Sequence, residues 1–166
     1  MRMNIDYRKL TDTATTPTYG TDYAAGADLY ADIEAPIYID EGESVKISTG
    51  IAVAIPEGYV GLIFARSGLS CKNGLAPANK VGVIDSDYRG ELIVVVHNHE
   101  KYNNHTQNNT DDIDKYYEDY IQRHTIKPGD RVAQLVIVPY VTAVFNEKDS
   151  LDDSARGSGG FGSTGK

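Results

Sequence analysis

Residues 45–55 read VKISTGIAVAI, and their alternate positions carry Val45, Ile47, Thr49, Ile51, Val53 and Ile55. Because side chains on a strand alternate between two faces, this period of two predicts one half-buried β-strand. Outside this stretch, further runs rich in valine and isoleucine predict strands at 59–65, 91–97, 131–139 and 141–145.

Turn residues separate several of these predicted strands. Glycine, proline and acidic residues cluster at 40–42 (DEG), 56–58 (PEG) and 127–130 (KPGD). Such residues favour tight turns through a preset φ, tolerance of positive φ and side-chain bonds to the backbone. Many short strands, with no amphipathic helix in the first hundred residues, predict an all-β sandwich or barrel.

The composition limits what the chain binds. Its 166 residues predict one domain, and its net charge of −8 disfavours a nucleic acid or an anionic membrane as a partner. No apolar run is long enough to span a membrane and the first residues lack a signal-peptide core, so a cytoplasmic protein is expected. The single cysteine, Cys71, excludes an intrachain disulfide and is interpreted as a packing residue.

Residues 99–124 interrupt the β pattern and are predicted to be a surface insertion. Within them, one face of a short amphipathic helix is predicted at Ile113, Tyr116, Tyr117, Tyr120 and Ile121. This helix could pack on the barrel or offer an aromatic contact face to a protein partner. The four histidines lie in or beside the insertion, at His97, His99, His105 and His124. The first two are spaced like a metal pair, but no further ligand is placed by the pattern, so solvated histidines are the favoured interpretation.

Two further segments carry candidate functional groups. Residues 79–91 (NKVGVIDSDYRGE) predict a β-hairpin with Asp85, Asp87 and Tyr88 near its tip. Taken alone, this tip is also typical of a solvated turn. Residues 156–166 (RGSGGFGSTGK) are either a disordered tail or a flap that closes on a flat anionic ligand, because glycines give mobility while an arginine and a phenylalanine suit phosphate and base.

Five motifs in order resemble those of the trimeric dUTP pyrophosphatase (dUTPase) family. They are AGADLYA at 25–31, ARSGLS at 65–70, the 79–91 segment, GDRVAQLVIVP at 129–139 and the glycine-rich tail. The resemblance covers nearly the whole chain outside the insertion, and insertions at this point occur in some phage members. It implies a distorted jelly-roll barrel in a homotrimer, with one β domain at 1–155 and a flexible flap at 156–166.

The resemblance also implies an activity. Family members hydrolyse dUTP to dUMP and pyrophosphate with Mg²⁺, so Asp85 is expected to activate the attacking water and Asp28 to hold the metal through water. In the trimer each site borrows motifs from several subunits. Two alternatives remain: a dUTP-responsive interaction protein that acts through residues 99–124, and dCTP deaminase chemistry on a similar fold.

Substrate contacts follow from the same resemblance. The uracil is expected to pair with main-chain groups near Val83 and Ile93 and with the Asn79 amide, and Tyr88 to pack under the deoxyribose. The phosphates are expected to meet Arg66 and Arg156. The remaining positions expected to line the substrate site are Ser67, Gly68, Gly82, Ile84, Gln134, Phe161, Gly162 and Ser163, with Phe161 covering the uracil.

Overall fold

The computed structural model describes residues 3–100 and 123–160. In this part of the chain the strands are β1 (Asp6–Lys9), β2 (Thr18–Tyr19), β3 (Ala27–Tyr30), β4 (Ile37–Ile39), β5 (Ser44–Ile47), β6 (Ile51–Ala54), β7 (Tyr59–Phe64), β8 (Leu75–Pro77), β9 (Gly82–Ile84), β10 (Val94–Asn98), β11 (His124–Ile126) and β12 (Arg131–Pro139). One short helix, α1 (Ser67–Asn73), lies between β7 and β8. The predicted all-β class is confirmed, and no helix in the described residues is long and apolar enough to cross a membrane.

Four sheets surround one core. The largest has the strand order β2-β3-β12-β7-β9, and the others are β5-β10-β8, β1-β6 and β11-β4. Each sheet contributes side chains to the same buried cluster, for example Leu29, Ile39, Ile47 and Ile51. Because β12 lies between β3 and β7, the centre of the largest sheet brings three distant parts of the sequence together.

Two predicted strands match the structure closely, since 131–139 is β12 and 59–65 is one residue longer than β7. The 91–97 strand begins three residues later, as β10. The three predicted turns are confirmed, with left-handed glycines at Gly42 (φ 72°), Gly58 (φ 83°) and Gly129 (φ 80°).

The single strand predicted at 45–55 is wrong, because the chain divides there into β5 and β6. Gly50 has a left-handed φ of 63°, which a continuous strand cannot contain. The two halves join different sheets, since β5 pairs with β10 and β6 with β1. Period-two alternation survives this break, so the sequence pattern alone conceals it.

Three further expectations are corrected. Residues 141–145 form no strand, since the described residues offer them no pairing partner and Val141, Val144 and Phe145 are exposed. The short helix α1 was not expected: it buries no residue, so it leaves no apolar periodicity, and a left-handed Gly74 ends it. Cys71 lies exposed on that helix and is not a packing residue. The predicted helix at 113–121 lies outside the described residues.

The 79–91 segment reverses direction, but its arms do not pair with each other as a hairpin. The amide of Tyr88 donates to the carbonyl of Asp85 at 3.1 Å, which closes the turn. Strand β9, before the turn, pairs with β7, whereas β10, after it, pairs with β5 and β8. The turn therefore spans two sheets.

Glu91 fastens the end of this turn to the loop that separates β5 from β6. Its Oε1 accepts hydrogen bonds from the amides of Thr49 (3.1 Å) and Gly50 (2.8 Å) and from the Ser48 hydroxyl. The Thr49 hydroxyl in turn donates to the Leu92 carbonyl at 2.6 Å. One carboxylate thus holds together the strand break and the turn.

We expect Glu91→Ala to lower the free energy of unfolding by about 3 kcal/mol, because two part-buried amides lose their acceptor. Urea unfolding at one fixed protein concentration measures the loss. Glu57→Ala is the matched control, since Glu57 is exposed and makes no side-chain hydrogen bond among the described residues; its effect should stay within about 0.5 kcal/mol. Equal losses in the two variants would show that the Glu91 contacts contribute nothing specific.

Candidate functional site

A buried carboxylate on β3 gathers the first group of site residues. Asp28 is only 3% exposed. Its Oδ1 accepts hydrogen bonds from Arg66 Nε at 3.0 Å and Gln134 Nε2 at 3.1 Å, and its Oδ2 accepts one from Arg131 Nη1 at 3.1 Å. We call these four residues, Asp28, Arg66, Gln134 and Arg131, the Asp28 cluster. Its two guanidinium groups and single carboxylate give it a surplus positive charge.

The sheet register explains how three of these residues meet. On β12, Gln134 lies opposite Asp28 of β3 on one side and opposite Phe64 of β7 on the other. Arg66 follows the end of β7 by two residues and reaches back across this row. Gly26 leaves room for the glutamine, since a Cβ at that position would lie 3.1 Å from Gln134 Cβ.

A β-bulge explains the fourth member, Arg131. Residues 131 and 134 are an odd number apart, so a regular strand would point them to opposite faces. The pairing shifts between Arg131 and Ala133, where two steps along β12 match one step along β3. The bulge turns both side chains toward Asp28, as bulges beside active sites do. Arg131 is the member of the cluster that sequence reasoning missed, although it lies inside the GDRVAQ motif.

The family resemblance implies a phosphate-binding loop at Ser67 and Gly68, but both residues lie in the first turn of α1. Both are exposed, and Arg66 is the extended residue that precedes the helix, with φ −83° and ψ 129°. Amides in the first turn of a helix have no intrahelical acceptor. The two residues therefore present N–H groups and a hydroxyl beside the Asp28 cluster.

A second group of site residues lies on the turn after β9. Asp85 is exposed, and its carboxylate makes no side-chain hydrogen bond among the described residues. It borders an open depression of about 840 Å³ lined by Asp6, Ala54, Ile55, Pro56, Glu57, Asp85, Ser86, Asp87, Arg89 and Tyr140. Four of these residues are acidic. The one arginine donates to the carbonyls of Ser86 (2.6 Å) and Tyr88 (2.9 Å), so it is occupied in holding the turn.

The ring of Tyr88 is fixed on the same turn. Its hydroxyl donates to the Glu91 carbonyl at 3.0 Å. The ring lies over Gly90 so closely that a Cβ there would be 2.4 Å from Tyr88 Oη. A glycine at this position is therefore needed for the observed ring position, and 43% of the tyrosine stays exposed.

The residues expected to bind a base lie along the two arms of the turn. Strand β9 is the edge of its sheet, so the backbone groups on its outer side are unpaired in the ladder. Val83 is 62% exposed and Ile93 46%, whereas Gly82 is buried against Ile63. Asn79 is exposed just before β9. Ile84, at the end of β9, packs partly against the core.

The tail supplies the third group, of which only the start is described. Arg156 donates from Nε to the Gly159 carbonyl at 2.8 Å and lies in a local turn. Phe161, Gly162 and Ser163 lie outside the described residues. Across residues 3–100 and 123–160, no side-chain hydrogen bond or ion pair joins the Asp28 cluster, the Asp85 turn and Arg156.

The Asp28 carboxylate has room to accept one more hydrogen bond, as holding a metal through water would require. The described residues contain no group of three or more histidine, cysteine or acidic side chains placed to hold a metal directly. A carboxylate has roughly four acceptor sites, and three of those on Asp28 are occupied by protein donors. The remaining site suits a water of a hydrated Mg²⁺, an ion that keeps several of its waters.

The histidines beside the insertion are engaged with other side chains. His97 Nδ1 lies 2.8 Å from Ser44 Oγ, and Lys80 Nζ lies 3.1 Å from His99 Nε2. Burial lowers the pKa of His99, and the charges of Lys80 and His97 lower it further. His124 contacts Glu100 at 2.9 Å, and His105 lies outside the described residues.

Comparisons with known proteins point to one family. The model of the dUTPase family matches residues 12–108 and 118–165. The deoxyuridine 5'-triphosphate nucleotidohydrolase of Desulfitobacterium hafniense is 42% identical over 166 residues, covering 99% of this chain and 97% of that protein. Its counterpart in Rickettsia bellii is 44% identical over 149 residues, covering 90% and 86%.

Solved structures of phage enzymes are similar over most of the chain. A dUTPase variant of Staphylococcus bacteriophage 80alpha with dUpNHpp has a TM-score of 0.77 and 29% identity, covering 98% of this chain and 99% of that one. The dUTPase of phage phi11 of S. aureus, whose structure visualises a species-specific insert, has a TM-score of 0.74 and 28% identity, covering 92% and 100%.

Proposed function

This chain belongs to the dUTPase family, and we propose that it hydrolyses dUTP to dUMP and pyrophosphate with Asp85 as the base that activates water. The activity follows from the family; the assignment of roles to residues is our proposal. Its main support is that Asp85 is exposed and its carboxylate makes no side-chain hydrogen bond among the described residues, whereas both oxygens of Asp28 and Oε1 of Glu91 accept hydrogen bonds. Asp87 is also exposed, and the family motif is what favours Asp85 over it. The proposed place of action is the cytoplasm of a bacterial or phage-infected cell.

Asp85 meets the requirements of a general base. A carboxylate side chain can orient a water molecule and accept its proton. The turn holds its backbone in place through the Tyr88 amide, and Glu91 anchors the turn from behind. The activated water would attack the α-phosphate, and pyrophosphate would leave from the opposite side.

The phosphates are assigned to the Asp28 cluster and the first turn of α1. Phosphoryl transfer depends mainly on positioning and on charge stabilisation. Arg66 supplies a guanidinium, Gln134 an amide, and Ser67 and Gly68 a hydroxyl and backbone donors. Asp28 would hold Mg²⁺ through water, and the ion would neutralise part of the phosphate charge.

The base and sugar are assigned to the two arms of the turn. The backbone of Val83 and Ile93, with the Asn79 amide, would pair with the uracil edge, while Gly82 and Ile84 shape the wall. Fixed donors and acceptors reject a base with the wrong pattern, because its groups and theirs stay unpaired. The fixed ring of Tyr88 would pack under the deoxyribose and leave no room for a 2′-hydroxyl.

The charges favour a site built from several copies of the chain in a homotrimer. The depression beside Asp85 is acidic, so it would repel a triphosphate, whereas the Asp28 cluster has surplus positive charge.

An apolar arm also leaves the body after β12, with Val141 at 93%, Phe145 at 94% and Leu151 at 87% exposure. We propose that residues 1–155 form the domain and its arm, that the arm lies on a neighbouring subunit, and that residues 156–166 close as a flap. Arg156 would then meet a phosphate, and Phe161, with Gly162 and Ser163, would cover the uracil.

Asp85→Asn should lower kcat for dUTP by at least about a hundredfold, because the amide cannot accept the proton of water. Binding of the non-hydrolysable imido analogue of dUTP should persist. Asp87→Asn is the matched control: it removes the same charge two residues away and should keep most of the turnover. Pyrophosphate release and calorimetric binding measure the two effects, and full turnover by the Asp85 variant would remove it from the role of base.

Mixing two inactive variants tests the shared site. If Arg66 and Asp85 of one site come from different chains, co-refolded Arg66→Gln and Asp85→Asn chains at equal ratio should recover about a quarter of wild-type activity, because random assembly pairs two intact residues in that share of sites. Separately refolded variants mixed without exchange should recover none. Failure of the co-refolded sample to gain activity would place both residues of a site on one chain.

A second candidate function is protein interaction through the 99–124 insertion. Its two ends are fastened to the body and to each other: Glu100 contacts His124, and Arg123 pairs with Asp40 at 2.9 Å and lies 5.1 Å over the ring of Tyr38. Both described ends of the insertion are therefore held against the body of the domain. Phage 80alpha dUTPases, which this chain resembles, are described as controlling transfer of virulence genes by a proto-oncogenic G protein-like mechanism.

Deleting residues 101–122 separates this candidate from catalysis. A short glycine linker can rejoin the ends, because the side chains of Glu100 and His124 are in contact, with 2.9 Å between Oε2 and Nε2. We expect dUTP turnover to survive and a partner to be lost, measured by comparing pull-downs by the deleted and full-length proteins. If both proteins capture the same proteins, the interaction function fails.

A further inference from the structure

The geometry points to Arg131 as a positioning residue that keeps Arg66 available to the triphosphate, by occupying the second oxygen of Asp28. This inference rests on the proposed role of Arg66 in phosphate binding. Arg131 would act through Asp28 and Arg66 and would not itself need to touch the substrate.

The contact between Asp28 and Arg66 uses one N–H group only. Arg66 Nε donates to Oδ1 at 3.0 Å, while Oδ2 accepts from Arg131 Nη1 at 3.1 Å. Arginine and carboxylate often pair through two parallel bonds, which would use two nitrogens of the guanidinium. Here Arg131 takes the oxygen that such a second bond would require.

The backbone of Arg131 restrains the same guanidinium. Arg66 Nη1 donates to the Arg131 carbonyl at 3.3 Å, so Nε and Nη1 both have acceptors. Nη2 has no acceptor among residues 3–100 and 123–160, and no buried side-chain nitrogen or oxygen in these residues lacks a partner. Nη2 is therefore open to solvent, in a suitable state to receive a phosphate oxygen.

Loss of the Arg131 side chain would change this arrangement. Oδ2 belongs to a carboxylate that is only 5% exposed, so leaving this oxygen without a hydrogen bond would raise the free energy of the folded protein. The guanidinium of Arg66 already donates to Oδ1, so it could turn to give the two-bond pair and withdraw Nη2 from the phosphate. The expected consequence is weaker substrate binding.

The exposure of Arg131 separates this role from a structural one. Its side chain is 50% exposed, so solvent screens its ion pair and its contribution to folding stability is expected to be small. The bulge between residues 131 and 133 brings it to Asp28 at the expense of regular pairing. The bulge disrupts regular strand pairing and yields an ion pair that is half exposed, so a functional role explains it better than a structural one.

The test uses the full-length protein with Arg131→Gln and Arg131→Lys, each in the wild-type and the Arg66→Gln background. Lys127→Gln is the matched control, because it removes the same charge four residues earlier and its exposed side chain makes no hydrogen bond or ion pair among the described residues. Readouts are KM and kcat for dUTP, the Kd of the imido analogue, and urea unfolding.

We expect Arg131→Gln to raise KM and the analogue's Kd by roughly tenfold to a hundredfold, the value of one hydrogen bond between charged groups. Its kcat should change less than about threefold, and Arg131→Lys, which can still donate to Oδ2, should recover most of the binding. In the Arg66→Gln background the further effect of Arg131→Gln should fall below about twofold, because the residue it acts through is gone.

Each other outcome has a distinct meaning. Equal factors in both backgrounds would show that Arg131 acts independently of Arg66 and would overturn the inference, as would a large loss of stability with unchanged KM. Normal dUTP turnover and binding in Arg66→Gln alone would instead refute the proposed role of Arg66. If Arg131→Gln does not fold, Arg131→Lys carries the test: a rise in KM by an equal factor in the wild-type and the Arg66→Gln backgrounds would contradict the inference.

Discussion

The buried carboxylate of Asp28 is the group on which the phosphate side of the molecule depends. A charge that is 3% exposed requires donors, and here they come from the start of β12, the middle of β12 and the residue before α1. The hydrogen bonds to the Asp28 carboxylate thus hold these three parts of the chain in position relative to β3. Buried ion pairs are weak evidence for stability, since well-packed apolar residues often serve a fold as well or better. The cluster is better explained by what it does to Arg66 than by its contribution to folding.

Side chains of the same type differ in how many of their hydrogen-bonding atoms already have partners, and this distinguishes those that hold the fold from those to which we assign a role in the reaction. Glu91 has three donors on one oxygen and holds a loop, whereas Asp85, six residues earlier, has no donor to its side chain. Arg89 is occupied by two carbonyls of its own turn, whereas Arg66 keeps one nitrogen open. Residue type alone does not distinguish the members of these pairs. Their partners do, and those partners are set by tertiary structure.

The sequence predicts the parts of this fold in which local pattern and pairing agree. Strand β12 is an example, since its bounds match the apolar run at 131–139. The pattern fails where one backbone angle or one partner decides the outcome. Gly50 breaks a run that alternates on both sides of it, and residues 141–145 have strand composition but no partner in the described chain. Three of the four residues that meet at Asp28 are among the residues named from the motifs, but the bulge that brings Arg131 to Asp28 leaves no signal in a single sequence, because it depends on the register with β3.

The distribution of charge explains why a single copy is poorly suited to the reaction. Attack by water needs an ionised carboxylate close to a phosphate that itself carries negative charge, and these repel unless cations stand between them. In this chain the Asp85 carboxylate borders an acidic depression, whereas the Arg66 guanidinium is paired with Asp28, and no side-chain bond joins Asp85 to Arg66 among the described residues. Keeping them apart in the monomer avoids an ion pair that would neutralise both groups before substrate arrives. Bringing them together across subunits lets the triphosphate, with its metal, occupy the space between them, so assembly of the proposed trimer would itself create the electrostatic field that the chemistry requires.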